Sequence, residues 1–174
     1  MRLGIGHFMA LLQPDIVVGD TVVQLTPAPL LQRGIAGVVL DIDDTLVPMR
    51  RADITPEVVR WLQGMCQHFD IWLVSNNLNT QRIQRIAAAV QLPYIDSAAK
   101  PSRRSLRRVL AAMRLPPERV AIVGDRLFTD VLAGNRMGML TVLIDPVCRV
   151  SRPLPWLSER SFFRLWGVKL KKTL

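Results

Sequence analysis

Short apolar runs alternate with amphipathic segments through the middle of the chain, which predicts an α/β domain built on a parallel sheet. Residues 37–40, 71–74 and 120–123 are continuously apolar, as strands buried on both faces should be. Residues 93–95 read as a weaker strand and 140–144 as a fifth. Between the first two lies a helix: Thr55-Pro56-Glu57 supplies a cap, a proline at the first helical position and an acidic first turn. Val58, Leu62, Met65 and Phe69 then fall on one helical face. Ile83, Ile86, Ala87 and Val90 mark a second helix. A third, capped by Ser102, turns Leu106, Val109, Leu110 and Met113 inward and Arg103, Arg104, Arg107 and Arg108 outward. A last helix over 131–137 should close on Gly138. The expected fold is a three-layer, Rossmann-like α/β domain. Its core runs over residues 36–146, after an N-terminal extension (1–35) that packs on the core or meets a membrane, and before a tail (147–174).

The strands share a regularity that matters more than any one of them. Asp41, Ser75 and Asp125 each stand at a strand's carboxyl end, and Lys100 lies just past the weak strand. In an open parallel sheet those ends share one edge, where ligands bind. Singly, each is ordinary: the DxDxT segment fits a strand-end turn, Ser75 a cap, Lys100 a surface charge, and Gly124-Asp125 a turn. Their joint order points to a site.

The residue types fit phosphoryl transfer, which needs an in-line nucleophile, a proton donor and cations to offset charge. Asp41 and Asp43, two apart in extended backbone, face the same way and can reach one substrate atom. Asp41 can attack phosphorus. Asp43 can protonate the leaving oxygen and then deprotonate water. Asp41 with Asp125 offers hard oxygen ligands suited to Mg²⁺. Lys100 supplies a compact cation, the one internal lysine in a chain whose other lysines are Lys169, Lys171 and Lys172. Ser75, Asn76 and Asn77 offer hydroxyl, amide and backbone donors for phosphate oxygens. Asp130 is placed to orient the metal shell or Lys100. His7 and His68 have no partners at ligand spacing.

Charge adds a second theme. The formal net charge is +9, and seven basic residues against the single Glu159 lie from Arg149 onward. Trp156, Phe162, Phe163 and Trp166 interleave with them. That mixture suits an anionic membrane surface, contacted through residues 153–174. The same residues could instead form a helix packed on the domain, or meet nucleic acid, which is the least favoured partner. No apolar stretch reaches the roughly 18–20 residues of a spanning helix. The apolar run at residues 8–12 is broken upstream by His7 and followed by Gln13-Pro14-Asp15, so it is not read as a signal peptide. Cys66 and Cys148 have no metal spacing and are expected as free thiols, in keeping with a cytoplasmic protein.

These motifs resemble those of the haloacid-dehalogenase (HAD) superfamily, in family order: Asp41-Ile42-Asp43-Asp44-Thr45-Leu46, Ser75, Lys100-Pro101, then Gly124-Asp125 with Asp130. The resemblance covers residues 36–144. It implies Asp41 as nucleophile and Asp43 as acid/base, with Mg²⁺ held by Asp41, the Asp43 backbone carbonyl and Asp125. It also implies that Ser75 and Lys100 hold the phosphoryl group, and Thr45 and Asn76 are expected to bind phosphate beside them. Aspartate at the second motif position is similar to the phosphatase branch. Leu12-Gln13-Pro14-Asp15, Val74-Ser75-Asn76-Asn77 and the stretch from Gly124 to Asp130 resemble the YqeG-type subfamily IIIA, which is similar to the phosphatidylglycerophosphatases.

No insertion large enough for a cap interrupts residues 46–74 or 76–99. A lidless site must exclude water with another surface, a bilayer or an oligomeric partner. The expected function is hydrolysis of a phosphomonoester through an aspartyl-phosphate, with phosphatidylglycerophosphate as substrate at a peripheral membrane site. The alternatives are a soluble phosphatase of a sugar phosphate or nucleotide, and a non-catalytic RNA- or membrane-binding protein on the same scaffold.

Overall fold

The computed structural model describes residues 5–51, 53–148, 168, 172 and 173. Among the described residues, six strands form one all-parallel sheet: β1 (Ile16–Val17), β2 (Gly37–Leu40), β3 (Asp70–Val74), β4 (Tyr94–Ile95), β5 (Val120–Gly124) and β6 (Leu140–Leu143). Their spatial order is β1-β6-β5-β2-β3-β4. The expected strands are present, and β1 is additional. It belongs to the segment expected as an extension, and it pairs with β6 through Ile16 opposite Val142 and Val17 opposite Leu143.

Among the described residues, the helices of at least ten residues are α3 (Pro56–Cys66), α4 (Thr80–Val90) and α5 (Arg104–Met113); α1 (Ile5–Ala10), α2 (Ala28–Leu31) and α6 (Leu132–Asn135) are shorter. Strand residues alternate between two cores, which makes the fold three-layered. Val38 and Leu40 of β2 join Val58, Leu62 and Met65 of α3 and Ile83 and Ile86 of α4. Val39, one step out of phase, joins Leu106, Val109 and Leu110 of α5 on the opposite face. Both faces being covered, the strands carry no polar alternation. A third cluster brings Leu12 and Val17 together with Leu127, Val131, Leu143 and Val168.

Two local expectations hold with a difference of detail. The helix expected over residues 131–137 starts earlier, as a π-helical turn, Leu127–Val131, that leads into the four-residue α6, and the chain then turns at Gly138 (φ 74°). The wide turn leaves Asp130 buried beneath the chain, and the Arg126 backbone N–H donates to its carboxylate. The N-cap position of α5 is Arg103, which makes no side-chain bond, while Ser102 just before it accepts from the Arg104 N–H at 3.4 Å. By contrast, Thr55 caps α3 through the Val58 amide, as its sequence predicts.

The basic tail expected over residues 153–174 falls almost wholly outside the described residues. Of its far end, Val168 is buried and Thr173 bonds to β1: its backbone N–H donates to the Val17 carbonyl at 2.7 Å, and its Oγ1 accepts from the Val17 N–H at 3.1 Å.

Candidate active site

The sheet order reverses at β2 and β5. From β2 the chain moves outward to β3 and β4, then crosses back to β5 and β6 on the other side. Such a switch point opens a crevice at the carboxyl edge. Asp41 follows β2 and Asp125 follows β5, so the two carboxylates flank that crevice. The Asp41 backbone N–H still donates to the Val123 carbonyl at 2.9 Å, which fixes the aspartate to the sheet.

The loop after β2 turns at once. Asp44 adopts a left-handed conformation (φ 61°), which aspartate tolerates better than most residues. Its N–H donates to the Val47 carbonyl, and its Oδ1 accepts from the Met49 N–H. This turn holds Asp43 over the crevice. Lys100 is held as firmly: the Asn76 side chain accepts from its backbone N–H at 2.7 Å and donates to its carbonyl at 2.9 Å. The Lys100–Pro101 peptide is cis.

Buried charge forms the floor. Lys100 Nζ lies 2.7 Å from Asp41 Oδ1 and 2.7 Å from Asp130 Oδ1, and it donates to the Val74 carbonyl at 2.9 Å. Burial alone would lower the lysine's proton affinity, but Asp130 and Asp41 outweigh it and hold the ammonium above its ordinary range. Burial pushes the Asp41 carboxyl up from 3.8 to about 6, with Asp130 and Asp43 adding to the shift and Lys100 opposing it. Gly124 is required beneath this floor, because a Cβ there would overlap the Asp130 carboxylate.

Asp43 belongs to a different network. Ser75 Oγ donates to its Oδ2 at 2.9 Å, Asn77 Nδ2 approaches the same oxygen at 3.2 Å, and Arg82 Nη1 pairs with Oδ1 at 2.7 Å. Arg82 also donates to the carbonyls of Pro48 and Arg51, tying the loop after Asp43 to α4. A cavity of about 310 Å³ opens above both networks, lined by Asp41, Asp43, Met49, Asn76, Asn77, Lys100, Arg126 and Thr129.

Asp41, Asp125 and Asp130 each place one carboxylate oxygen within 4.8 Å of the others, and all three residues are buried. Three buried hard-oxygen donors gathered this closely fit a divalent cation such as Mg²⁺.

The expected residues therefore meet, with three differences of detail. Asn76 spends its side chain on the Lys100 backbone. Ser75 is buried and its hydroxyl is engaged with Asp43 and with the Asn77 N–H. Thr45 is fully buried and does not line the cavity. Arg82 and Arg126 were not expected at the site. Arg82 stands three residues past the α4 N-cap Asn79, and that first-turn position is the one sequence signal that could have marked it.

The HAD-hydrolase-like family model matches residues 97–145, the stretch from just before Lys100 through Asp130. "Probable phosphatase YqeG" of Bacillus subtilis (strain 168) is 36% identical over 135 residues, covering 77% of this chain and 77% of that protein. The chain belongs to the HAD-like hydrolases, in their YqeG-type phosphatase branch. This HAD-type phosphatase is also 28% identical over 145 residues to "Phosphatidylglycerophosphate phosphatase 1, chloroplastic" of Chlamydomonas reinhardtii. That match takes in 78% of this chain but spans only 54% of the algal protein. Among solved structures, the putative HAD-hydrolase YfnB from Bacillus subtilis bound to magnesium shares the fold of this phosphatase, with a TM-score of 0.52 at 14% identity over 70% of this chain and 90% of that one. Among the described residues no helix is long and apolar enough to cross a membrane.

Proposed function

We propose that this HAD-type phosphatase hydrolyses phosphatidylglycerophosphate to phosphatidylglycerol through an aspartyl-phosphate on Asp41. The observation that carries the mechanism is the Asp41 carboxylate, fixed by Lys100 on the floor of an open cavity with Asp43 beside it. The substrate is suggested by the similarity to the algal phosphatidylglycerophosphate phosphatase.

In this reading Asp41 Oδ attacks phosphorus in line while the P–O bond to the glycerol oxygen breaks. Asp43 donates a proton to that oxygen as it leaves, then takes one from the water that cleaves the acyl phosphate. Ser75, Asn77 and Arg82 hold the Asp43 carboxylate toward the cavity. Lys100 keeps Asp41 oriented and places positive charge where the transferring group gains negative charge. Asp41 and Asp125, with Asp130 behind them, would hold Mg²⁺, which supplies further charge neutralisation when bound. Asp130 also positions Lys100. An open cavity of this size admits a phosphate headgroup without enclosing a whole metabolite.

The test is phosphate release from vesicle-embedded phosphatidylglycerophosphate with Mg²⁺, comparing wild type, Asp41→Asn and EDTA-treated protein. Release abolished by both treatments supports nucleophile, metal and lipid together. Release from a soluble ester alone, still dependent on Asp41, keeps the phosphatase and discards the lipid. The basic tail is assigned to an anionic membrane surface in the same reading. Because Val168 and Thr173 pack on the domain, Arg160→Glu with Arg164→Glu tests that assignment better than truncation would. Unchanged vesicle binding in that variant removes the tail's membrane role.

A further inference from the structure

Five large apolar side chains are exposed among the described residues: Phe8, Leu31, Met49, Leu78 and Phe128. Four of them belong to segments at or beside the mouth of the phosphatase cavity. Met49 lines the phosphatase cavity. Leu78, which is 82% exposed, follows the lining residue Asn77, and Phe128 precedes the lining residue Thr129. The Phe8 ring lies 6.5 Å from that of Phe128. These side chains come from four separate segments of the chain, so no single amphipathic element accounts for their placement. Leu31 is the exception, at the end of α2 and ahead of β2, toward the amino edge of the sheet.

Basic side chains stand among them. Arg50 and Arg51 are exposed beside Met49 and line a second cavity of about 370 Å³, which shares Met49 with the first. Arg126 lines the catalytic cavity from the Phe128 side. Exposed apolar residues interspersed with arginines around a polar opening match an anionic lipid–water interface, where apolar groups enter the acyl boundary and cations meet phosphates.

We propose that the rim of the active site is itself a membrane-docking surface: Phe8, Met49, Leu78 and Phe128 insert into an anionic bilayer while Arg50 and Arg51 meet its phosphates. The proposal rests on the lipid-phosphatase reading and adds a docking face at the catalytic mouth to the membrane contact assigned to the basic tail. A protein partner on this rim would cover the cavity and exclude substrate. A bilayer presents the phosphomonoester to Asp41 from the covering surface itself, and excludes water at the same time.

The test uses the full chain with vesicles of phosphatidylglycerol and phosphatidylcholine. Sedimentation measures binding, and phosphate release is followed from embedded phosphatidylglycerophosphate and from soluble p-nitrophenyl phosphate. Leu78→Asp and Phe128→Asp should each lower vesicle binding and lipid turnover by about tenfold or more, given the burial energy of one such side chain. Hydrolysis of the soluble ester should be unchanged, which also reports an intact fold. Leu31→Asp should alter none of the three. Equal vesicle binding by wild type, Leu78→Asp and Phe128→Asp overturns the proposal, as does a wild type that fails to sediment with vesicles. A dimer that Leu78→Asp splits would overturn it in favour of a second copy on this face. Vesicle binding that depends on Leu78 without lipid turnover would sink the substrate and leave the docking surface standing.

Discussion

Asp41 and Asp43 are separated by one residue, yet they live in opposite electrostatic surroundings. Asp41 sits on a floor where two carboxylates share one buried ammonium: Asp41 is held to the sheet by its backbone N–H, Lys100 by Asn76, and Asp130 by the Arg126 N–H. Asp43 sits on a wall where a hydroxyl, an amide and a guanidinium converge, and the guanidinium also grips a surface loop. The floor is fixed charge that needs no rearrangement when charge develops on phosphorus. The wall is a set of side-chain hydrogen bonds and one ion pair at the cavity, suited to a group that must give and then take a proton. Lysine on the floor and arginine on the wall follow from that difference: a point charge fits between two carboxylates, and a fork can reach one carboxylate and two carbonyls together.

Breaking the floor should cost most. Asp41→Asn should reduce phosphate release by on the order of 10⁴–10⁶, the scale for losing a nucleophile, with the fold retained by circular dichroism. A residual rate within tenfold of wild type would remove Asp41 from that role. Lys100→Met should lower stability by about 3–5 kcal/mol in urea melts of metal-free protein, because Asp41 and Asp130 are left facing each other without their shared cation. Saturating Mg²⁺ should return part of that loss.

The floor also sets a pH dependence. The Asp41 carboxyl is raised from 3.8 to about 6 in the folded protein, so folding favours its neutral form. Its contribution is complete below about pH 4 and fades as pH rises through about 6. Metal-free wild type should therefore lose roughly 2–3 kcal/mol between pH 4 and 8 relative to Asp41→Asn, measured by thermal or urea unfolding at each pH. Parallel profiles for the two proteins would contradict the assigned burial of charge.

The wall should be gentler. Arg82→Ala should lower kcat by about 10–100-fold, as expected for losing one charge-assisted contact that holds an acid/base group. Arg82→Lys should restore only part of it, since an ammonium cannot reach Asp43, Pro48 and Arg51 together. Full activity in Arg82→Lys would mean that only the charge matters on this side.

The large elements were legible because burial on both faces of a sheet writes itself as continuous apolar runs, and amphipathic helices repeat their buried face. Val58, Leu62 and Met65, or Leu106, Val109 and Leu110, could be placed inward from spacing alone. So could the meeting of Asp41, Lys100 and Asp125, because strand ends in a parallel sheet share an edge. What escaped is set by contacts distant in sequence. Ile16–Val17 is too short to show any periodicity and becomes a strand only against β6. The π-helical turn at Leu127–Val131 yields an ordinary-looking helical pattern. Arg82 lies far along the chain from Asp43, and among so many arginines only its place in the first turn of α4 sets it apart until that helix is packed.

The two strands at the margins of the sheet are each only two residues long. On β1, the outward-facing N–H and carbonyl of Val17 are already occupied by Thr173. Strand addition from a neighbouring molecule therefore finds little backbone to template on, which guards a protein of 49% hydrophobic content against edge-to-edge aggregation when it is crowded.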